Sequence, residues 1–163
     1  EMCIRDSPIE IFLGRHAARK ALKGTDRLET AIRRAMAARP GAARLTIVEN
    51  RPYDEYLTLM RSAHLVVDQA YSYTPATNAL LAMAHGIPVV SGAEPPFYHF
   101  LNTVEQPIIN SPIDVDSMTT LFIHILDNPA MLAPLGAASR RFVLRHNAAT
   151  TVARRFLTFW QRP

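Results

Sequence analysis

Short apolar runs alternate along the chain with longer stretches whose apolar positions recur at helical spacing. Ile9 to Leu13 reads as a first strand. A helix then starts near Thr25, a plausible cap, with Asp26 in its first turn. Leu28, Ala31, Ile32, Ala35 and Met36 give it one apolar face, and Pro40-Gly41 ends it. Leu45 to Val48 is a second strand. A helix from about Tyr53 to Arg61 follows, carrying Asp54 and Glu55 near its positive end. Leu65 to Asp68 is a third strand that breaks at an acid. The next helix is punctuated by Thr74 as cap, Pro75 in the first helical position and Gly86 as its left-handed stop. Ile87 to Val90 and Pro107 to Ile109 complete the strands. Met118, Leu121, Phe122, Ile125 and Leu126 form one helical face; Asn128-Pro129 opens another helix, which Gly136 is expected to break. A last helix spans about Ala148 to Arg162, with Val152, Phe156, Leu157, Phe159 and Trp160. Strands alternating with helices predict an α/β fold, a Rossmann-like parallel sheet with helices on both faces and additional carboxyl-terminal helices.

Composition narrows this picture. The chain has 163 residues, 48% hydrophobic and 20% charged, enough for one domain with a core. The opening Glu1-Met2-Cys3-Ile4-Arg5-Asp6-Ser7 resembles a translated sequencing-library transposon end. Residues 1–7 are therefore read as non-native, and 8–163 as a single domain cut from a longer gene product. The sole cysteine, Cys3, falls in that stretch, so disulfide, zinc-thiolate and cysteine-nucleophile chemistry have no candidate in the rest. Net charge is +4, or +5 without Glu1, Arg5 and Asp6. Such a balance suits a phosphorylated ligand or an anionic membrane surface. No zinc-finger, helix-turn-helix or RNA-binding signature accompanies it, so no nucleic-acid partner is expected. A cytoplasmic location, peripheral to the inner membrane if attached to it, fits this composition.

In an open parallel sheet, ligands bind beyond the carboxyl ends of the strands. After the first strand stands a basic loop from Gly14 to Asp26. In it Arg15 can fork onto phosphate oxygens, Lys23 supplies a point charge, and Gly14 and Gly24 permit close backbone approach. A solvated basic turn is the equal alternative. After the third strand, Asp68-Gln69 leads into Tyr73, Thr74, Thr77 and Asn78, where free helix N–H groups favour an anion. Thr74 can cap its helix at the same time. Ser91-Gly92-Ala93-Glu94 adds a third piece of rim. No His/Asp/Glu cluster has metal-ligand spacing, and no Ser/His/Asp nucleophile arrangement is visible. His85 is expected to meet its helix's negative end.

Gly14-Arg15 with Lys23-Gly24-Thr25-Asp26 resembles the G-R and K-G-x-D signature of the family-four glycosyltransferases. Val66-Val67-Asp68-Gln69, followed by Ala82-Met83-Ala84-His85-Gly86-Ile87-Pro88-Val89-Val90, resembles that family's strand, its E-A-M-A-x-G-x-P-V-V helix and the next strand. The similarity runs from about Ile9 to Trp160. It implies the carboxyl-terminal half of a two-domain, GT-B-type enzyme that transfers a sugar from a nucleotide-diphosphate sugar to an acceptor hydroxyl, as in polysaccharide biosynthesis. No cofactor or metal is implied. Arg15 and Lys23 would be the catalytic cations on the leaving pyrophosphate. Donor contacts would come from Gly14, Gly24, Tyr53, Asp68, Gln69, Tyr73, Thr74, Thr77, Asn78 and Glu94, with Glu49 to Tyr53 near the nucleobase. The final helix would cross onto an amino-terminal domain absent from this chain; ordinary core packing is the alternative for its aromatics. The isolated chain is expected to be inactive.

Two departures stand out. The family's paired glutamates fall at Tyr73 and Leu81, neither a carboxylate. Losing a charged partner costs about 1.5–3 kcal/mol. Either Asn78, Asp68 or Glu94 replaces them, or the protein is a catalytically silent sugar-nucleotide-binding or complex-forming module. Asp68 and Gln69 favour replacement, since an acid and an amide at a strand end have little packing purpose. A non-hydrolysing sugar-nucleotide epimerase would need acids and histidines for proton transfer that the sequence does not group.

Overall fold

The computed structural model describes residues 7–161; the reading of residues 1–6 as non-native, like the predicted end of the last helix at Arg162, lies outside the described residues. The apolar alternation in β1 (Ile9–Arg15) places Ile9, Ile11 and Leu13 on one side of the sheet and Phe12 on the other. Around β1 the strands β2 (Ala43–Glu49), β3 (Leu65–Val67), β4 (Val89–Ser91) and β5 (Ile109–Asn110) pair in the order β2-β1-β3-β4-β5, all parallel. Strand order reverses at β1, between β2 and β3. The crevice of a parallel sheet opens at that switch, beyond Arg15 and Val67.

Helices cover both faces. On the Ile9/Ile11/Leu13 side, α2 (Thr25–Ala38) contributes Leu28, Ala31, Ile32 and Ala35. Beside it α6 (Val115–Asp127) contributes Met118, Phe122, Ile125 and Leu126. Against the Phe12 side pack Met60 from α3 (Tyr53–Arg61), Ala79, Ala82 and Met83 from α4 (Thr77–Ala84), Tyr98 from α5 (Pro95–Phe100) and Phe142 from α7 (Leu132–His146). Each fully buried aliphatic or phenyl side chain contributes about 1.5–3 kcal/mol to holding the layers together. The single-turn α1 (Lys20–Lys23) and the exposed α8 (Ala149–Trp160) complete the chain.

Three local expectations are corrected. Thr25 does not cap α2: Gly24 holds that position in the left-handed region (φ 69°), and the buried Thr25 hydroxyl instead donates to the Lys20 carbonyl. Thr74 and Pro75 stay outside α4, which begins at Thr77 after Ala76. The Ala76 N–H is taken by the Asp68 carboxylate, and the Thr74 carbonyl accepts from Gln69 Nε2 and Ser72 Oγ, so the chain stays non-helical until residue 76. Gly136 does not break its helix. It sits buried inside α7, against the backbone of Gly86, where any Cβ would overlap the Gly86 carbonyl. Gly86 itself stops α4 at φ 78°, as read from the sequence.

The last helix shows what its aromatics do not do. No residue of α8 is buried, and Phe156, Leu157, Phe159 and Trp160 are each more than half exposed. Core packing within this chain is thereby excluded for them. Among the described residues, no single helix is long and apolar enough to cross a membrane.

Candidate functional site

At the switch point the sequence brings two segments to the end of the sheet. The loop after β1 curls through a 3-10 turn (Ala17–Arg19) into α1 and closes on Gly24. The other segment links Asp68 to α4. They are joined directly: the Ala70 N–H donates to the Lys23 carbonyl at 2.9 Å, and Lys23 Nζ stands 3.7 Å from Asp68 Oδ1. Lys23 is therefore tied to the turn by its backbone and its ammonium together. Gly24 lies against Ala70 and the Tyr71 ring, where a side chain would crowd both.

Asp68 is 2% exposed. Its second oxygen accepts the Ala76 N–H at 3.1 Å, just before α4. Burial pushes its carboxyl above the usual carboxylate range. Lys23, the Ala76 N–H and the neighbouring Ser91 hydroxyl pull the other way without prevailing. Ser91 Oγ is itself fully buried and lacks a hydrogen-bond partner of good geometry. The Gln69 side chain donates to the Thr74 carbonyl at 3.2 Å, and its backbone carbonyl accepts the Gly92 N–H at 2.7 Å. Both side chains thus have a structural purpose, holding the turn. This corrects the premise that an acid and an amide had little packing use at this strand end.

Arg15 occupies a different part of the rim. Its Nε donates to Glu49 at 2.8 Å and its Nη1 to Glu29 at 2.6 Å, linking the ends of β1 and β2 to α2. The sequence reading took Arg15 as a free fork; two carboxylates from other elements already engage it. Gly14 beside it is covered from within: a Cβ there would come 2.5 Å from the Tyr56 hydroxyl. That hydroxyl is buried without a partner, and its pKa is pushed up to about 12, first by burial and then by the charge on Asp68.

The remaining predicted residues distribute around these two. Tyr53, exposed, opens α3 beyond β2, and Arg51 pairs with Glu55 there. Tyr73 is exposed. Thr77 opens α4 on the solvent side, with Asn78 half-buried behind it. Leu81 turns its side chain into the core layer of Phe12 and Met83. Glu94 accepts from Asn110 Nδ2 at 3.1 Å, and Asn110 in turn accepts the Ala93 N–H at 2.8 Å. A cavity of about 340 Å³ is lined by Ala70, Tyr71, Ser72, Tyr73, Glu94 and Ile113. His85 lies at the end of α4. Burial, then Arg61 and Arg140, lower its pKa, so the structure disfavours the imidazolium that would best complement a negative helix end.

Sequence reasoning missed Tyr56, Glu29 and Asn110, and named Ser91 only as part of the rim. Asn110 was discoverable by the same rule that found Asp68, as a polar residue closing a strand. Tyr56 and Glu29 gave no comparable signal, because each faces the site from a helix whose rotation periodicity alone does not fix.

No family model and no curated protein matches the sequence. Solved structures do match in fold. HepE from Anabaena, in complex with UDP and glucose, superposes with a TM-score of 0.67 at 11% identity, over 94% of this chain and 48% of that one. Sucrose-phosphate synthase from Thermosynechococcus elongatus gives 0.65 at 23% identity, over 96% and 45%. A mutant of TarM from S. aureus, in complex with Fondaparinux, alpha-GlcNAc-glycerol and UDP, gives 0.66 at 13% identity, over 99% and 38%. The chain spans about half the length of the first two and less of the third. Its fold is the Rossmann-like α/β fold of the GT-B glycosyltransferases, consistent with their carboxyl-terminal domain.

Proposed function

We propose that this chain is the donor-binding half of a glycosyltransferase that moves a sugar from a nucleotide-diphosphate sugar to an acceptor hydroxyl. The observation that carries this reading is the double tie of Lys23 to the turn before α4. It sets a cation beside the first N–H groups of a helix at the sheet's switch point. Transfer needs the departing diphosphate neutralised as the sugar–oxygen bond breaks, and a fixed ammonium with helix N–H groups supplies that without a proton donor. Arg15 adds a second cation. Its bonds to Glu29 and Glu49 use Nε and Nη1, so Nη2 is the nitrogen that would serve a phosphate. Tyr53 and the residues after Glu49 would meet the base. UDP, present in the HepE and TarM structures, is the first nucleotide to try.

In a two-domain enzyme of this kind, an amino-terminal half would supply the acceptor site and cover the apolar face of α8. A cytoplasmic protein resting on an anionic membrane surface fits the basic charge. Calorimetric titration of the chain with UDP tests the reading. Saturable binding is expected, weakened about tenfold by Lys23→Ala and further by Arg15→Ala with Lys23→Ala. Absence of saturation at millimolar UDP would remove it.

A second reading rests on Leu81, whose side chain is committed to the core where a ribose-binding carboxylate was expected. It makes the protein a silent sugar-nucleotide-binding module. Donor binding without transfer or donor hydrolysis by the complete two-domain protein would favour that alternative.

A further inference from the structure

The joint between α7 and α8 concentrates buried polar atoms that have no partner. His146 closes α7 and is 7% exposed, yet neither of its ring nitrogens is hydrogen-bonded. The next residue, Asn147, buries an Oδ1 that is equally alone. Three of the six such side-chain atoms among the described residues thus fall on two adjacent positions. Unpaired buried polar atoms are rare in folded proteins, and each costs the desolvation of its group. The His146 ring is turned into the phenyl layer, its centroid 4.7 Å from that of Phe142, which packs in turn on Tyr98 and Phe97. Beyond the joint, α8 buries no residue. Arg155 Nη1 reaches back from α8 to the His146 carbonyl at 3.4 Å, so the residue with the unpaired ring also carries a hold on α8.

A neutral imidazole is tolerated in such a place; an imidazolium brings two N–H donors and a charge into a layer of rings. The charged groups around it do not compensate. Arg145 on α7 and Arg155 on α8 both oppose a further cation. Glu105, from the segment between α5 and β5, is the acid that faces the ring, and Arg145 already engages it at 2.8 Å. Tyr98, on the α5 side of Phe142, stays neutral, its pKa pushed up to about 12. Burial first, then Arg155 and Arg145, hold the His146 pKa below the ordinary 6.5, with Glu105 pulling the other way. The neutral ring's contribution is therefore complete above 6.5 and lost as pH falls through the lower, folded value. A charged ring escapes its cost by leaving the phenyl layer for solvent. What must give way is the last turn of α7, together with the Arg155 hold. We propose that His146 is a proton-operated latch at the α7–α8 joint: the neutral ring keeps α8 against α7, and the protonated ring opens the joint and lets α8 swing while the sheet stays folded. The latch needs no particular ligand in the crevice. In a two-domain enzyme it would set when the apolar face of α8 is free to meet the other half.

The test places nitroxide labels on Ala137→Cys in α7 and Thr158→Cys in α8, both exposed positions, in a Cys3→Ser chain. Pulsed electron spin resonance reads their separation at about pH 8 and about pH 5. One narrow distance is expected at the higher pH. At the lower it should give way to a longer, broader distribution, with a midpoint below 6.5. Amide spectra of the same chain should keep the dispersion of β1, β3 and β4 at both pH values. His146→Gln and His146→Leu cannot take the proton and should hold the narrow distance throughout. The leucine also removes the unpaired nitrogens, so it serves if the glutamine is not tolerated. His99→Gln removes an imidazole that shares a cavity with Glu105 and Arg145, and should respond as the parent does. The proposal is overturned if the distance is broad already at about pH 8 or unchanged at about pH 5. It is equally overturned if the sheet amides collapse with the opening, if a folded His146 variant keeps the parent's response, or if His99→Gln abolishes it.

Discussion

Lys23 Nζ and Asp68 Oδ1 stand 3.7 Å apart, and the other oxygen of the same carboxylate receives the Ala76 N–H. The pair is lopsided. Asp68 is buried, Lys23 is partly open to solvent, and burial outweighs attraction in setting the carboxyl above its ordinary value of 3.8. A raised folded-state value means that this group's contribution is complete below 3.8 and is lost as pH rises through the folded value. Asp68→Asn carries no charge and keeps an acceptor for Ala76. The stability of Asp68→Asn relative to the parent should therefore grow as pH rises from 3.8 through the folded value and level off above it. Urea midpoints of both proteins across that window give the comparison. A relative loss for the amide variant would mean that Lys23 outweighs burial. Asp68→Ala should fall below Asp68→Asn by about 1–3 kcal/mol, because the Ala76 N–H loses its partner.

Tyr56 offers a second titration, of opposite convenience. Its hydroxyl has no partner and faces Gly14. Tyr56→Phe should leave stability near neutral pH unchanged or raise it by up to about 1 kcal/mol. The folded value of about 12 lies above the ordinary 10, so the tyrosine's contribution is full below pH 10 and lost between 10 and 12. The variant should therefore lose less stability than the parent on alkaline titration, with Tyr98, also pushed up to about 12, common to both. Gly14→Ala would drive a methyl into the same hydroxyl. Its cost should shrink in the Tyr56→Phe background, and a four-protein thermal cycle measures that coupling.

The exposed face of α8 predicts a solubility effect without a stability effect. Phe159 and Trp160 are 67% and 71% exposed. Phe159→Ser with Trp160→Ser should change folding free energy by no more than about 0.5 kcal/mol per site, while lowering self-association in sedimentation velocity. A large drop in melting temperature would show that these rings pack against the chain.

The sheet was legible because the central strands β3 and β4 are buried on both faces and bounded by turn residues, and β1 alternates. Ile9/Ile11/Leu13 against Phe12 is enough to place helices on both sides. The basic loop and the Asp68 turn were found as neighbours because strand ends must converge in a parallel sheet. What could not be read was pairing across long sequence distances. Nothing near Arg15 announces that Glu29 and Glu49 will engage it. Nor does Thr74-Pro75 reveal that a buried acid eight residues before Ala76 will claim its N–H and delay the helix. Local capping rules gave way at Thr25 to the left-handed Gly24, at Thr74 to the bond from Ala76 to the buried Asp68, and at Gly136 to the close approach of Gly86.

Gly136 turns that lesson into an experiment. A glycine inside a helix ordinarily costs about 1 kcal/mol relative to alanine, so Gly136→Ala would stabilise an isolated α7. In the folded chain the new methyl would overlap the Gly86 carbonyl. Helix α7 would have to withdraw from the end of α4, loosening the packing of Phe142 on Tyr98. Overpacking of this kind costs about 1–3 kcal/mol. The helical gain offsets part of that cost, leaving a net loss of up to about 2 kcal/mol and a melting temperature lower by about 2–8 °C for a domain of this size. Gly41→Ala is the control: φ is 82° there and nothing lies within 4 Å of the added methyl, so only backbone strain of about 1 kcal/mol is expected. Thermal unfolding of the two variants separates contact from conformation. If Gly136→Ala melted above the parent, helix propensity would have won and the close approach of α7 to Gly86 would be without energetic consequence.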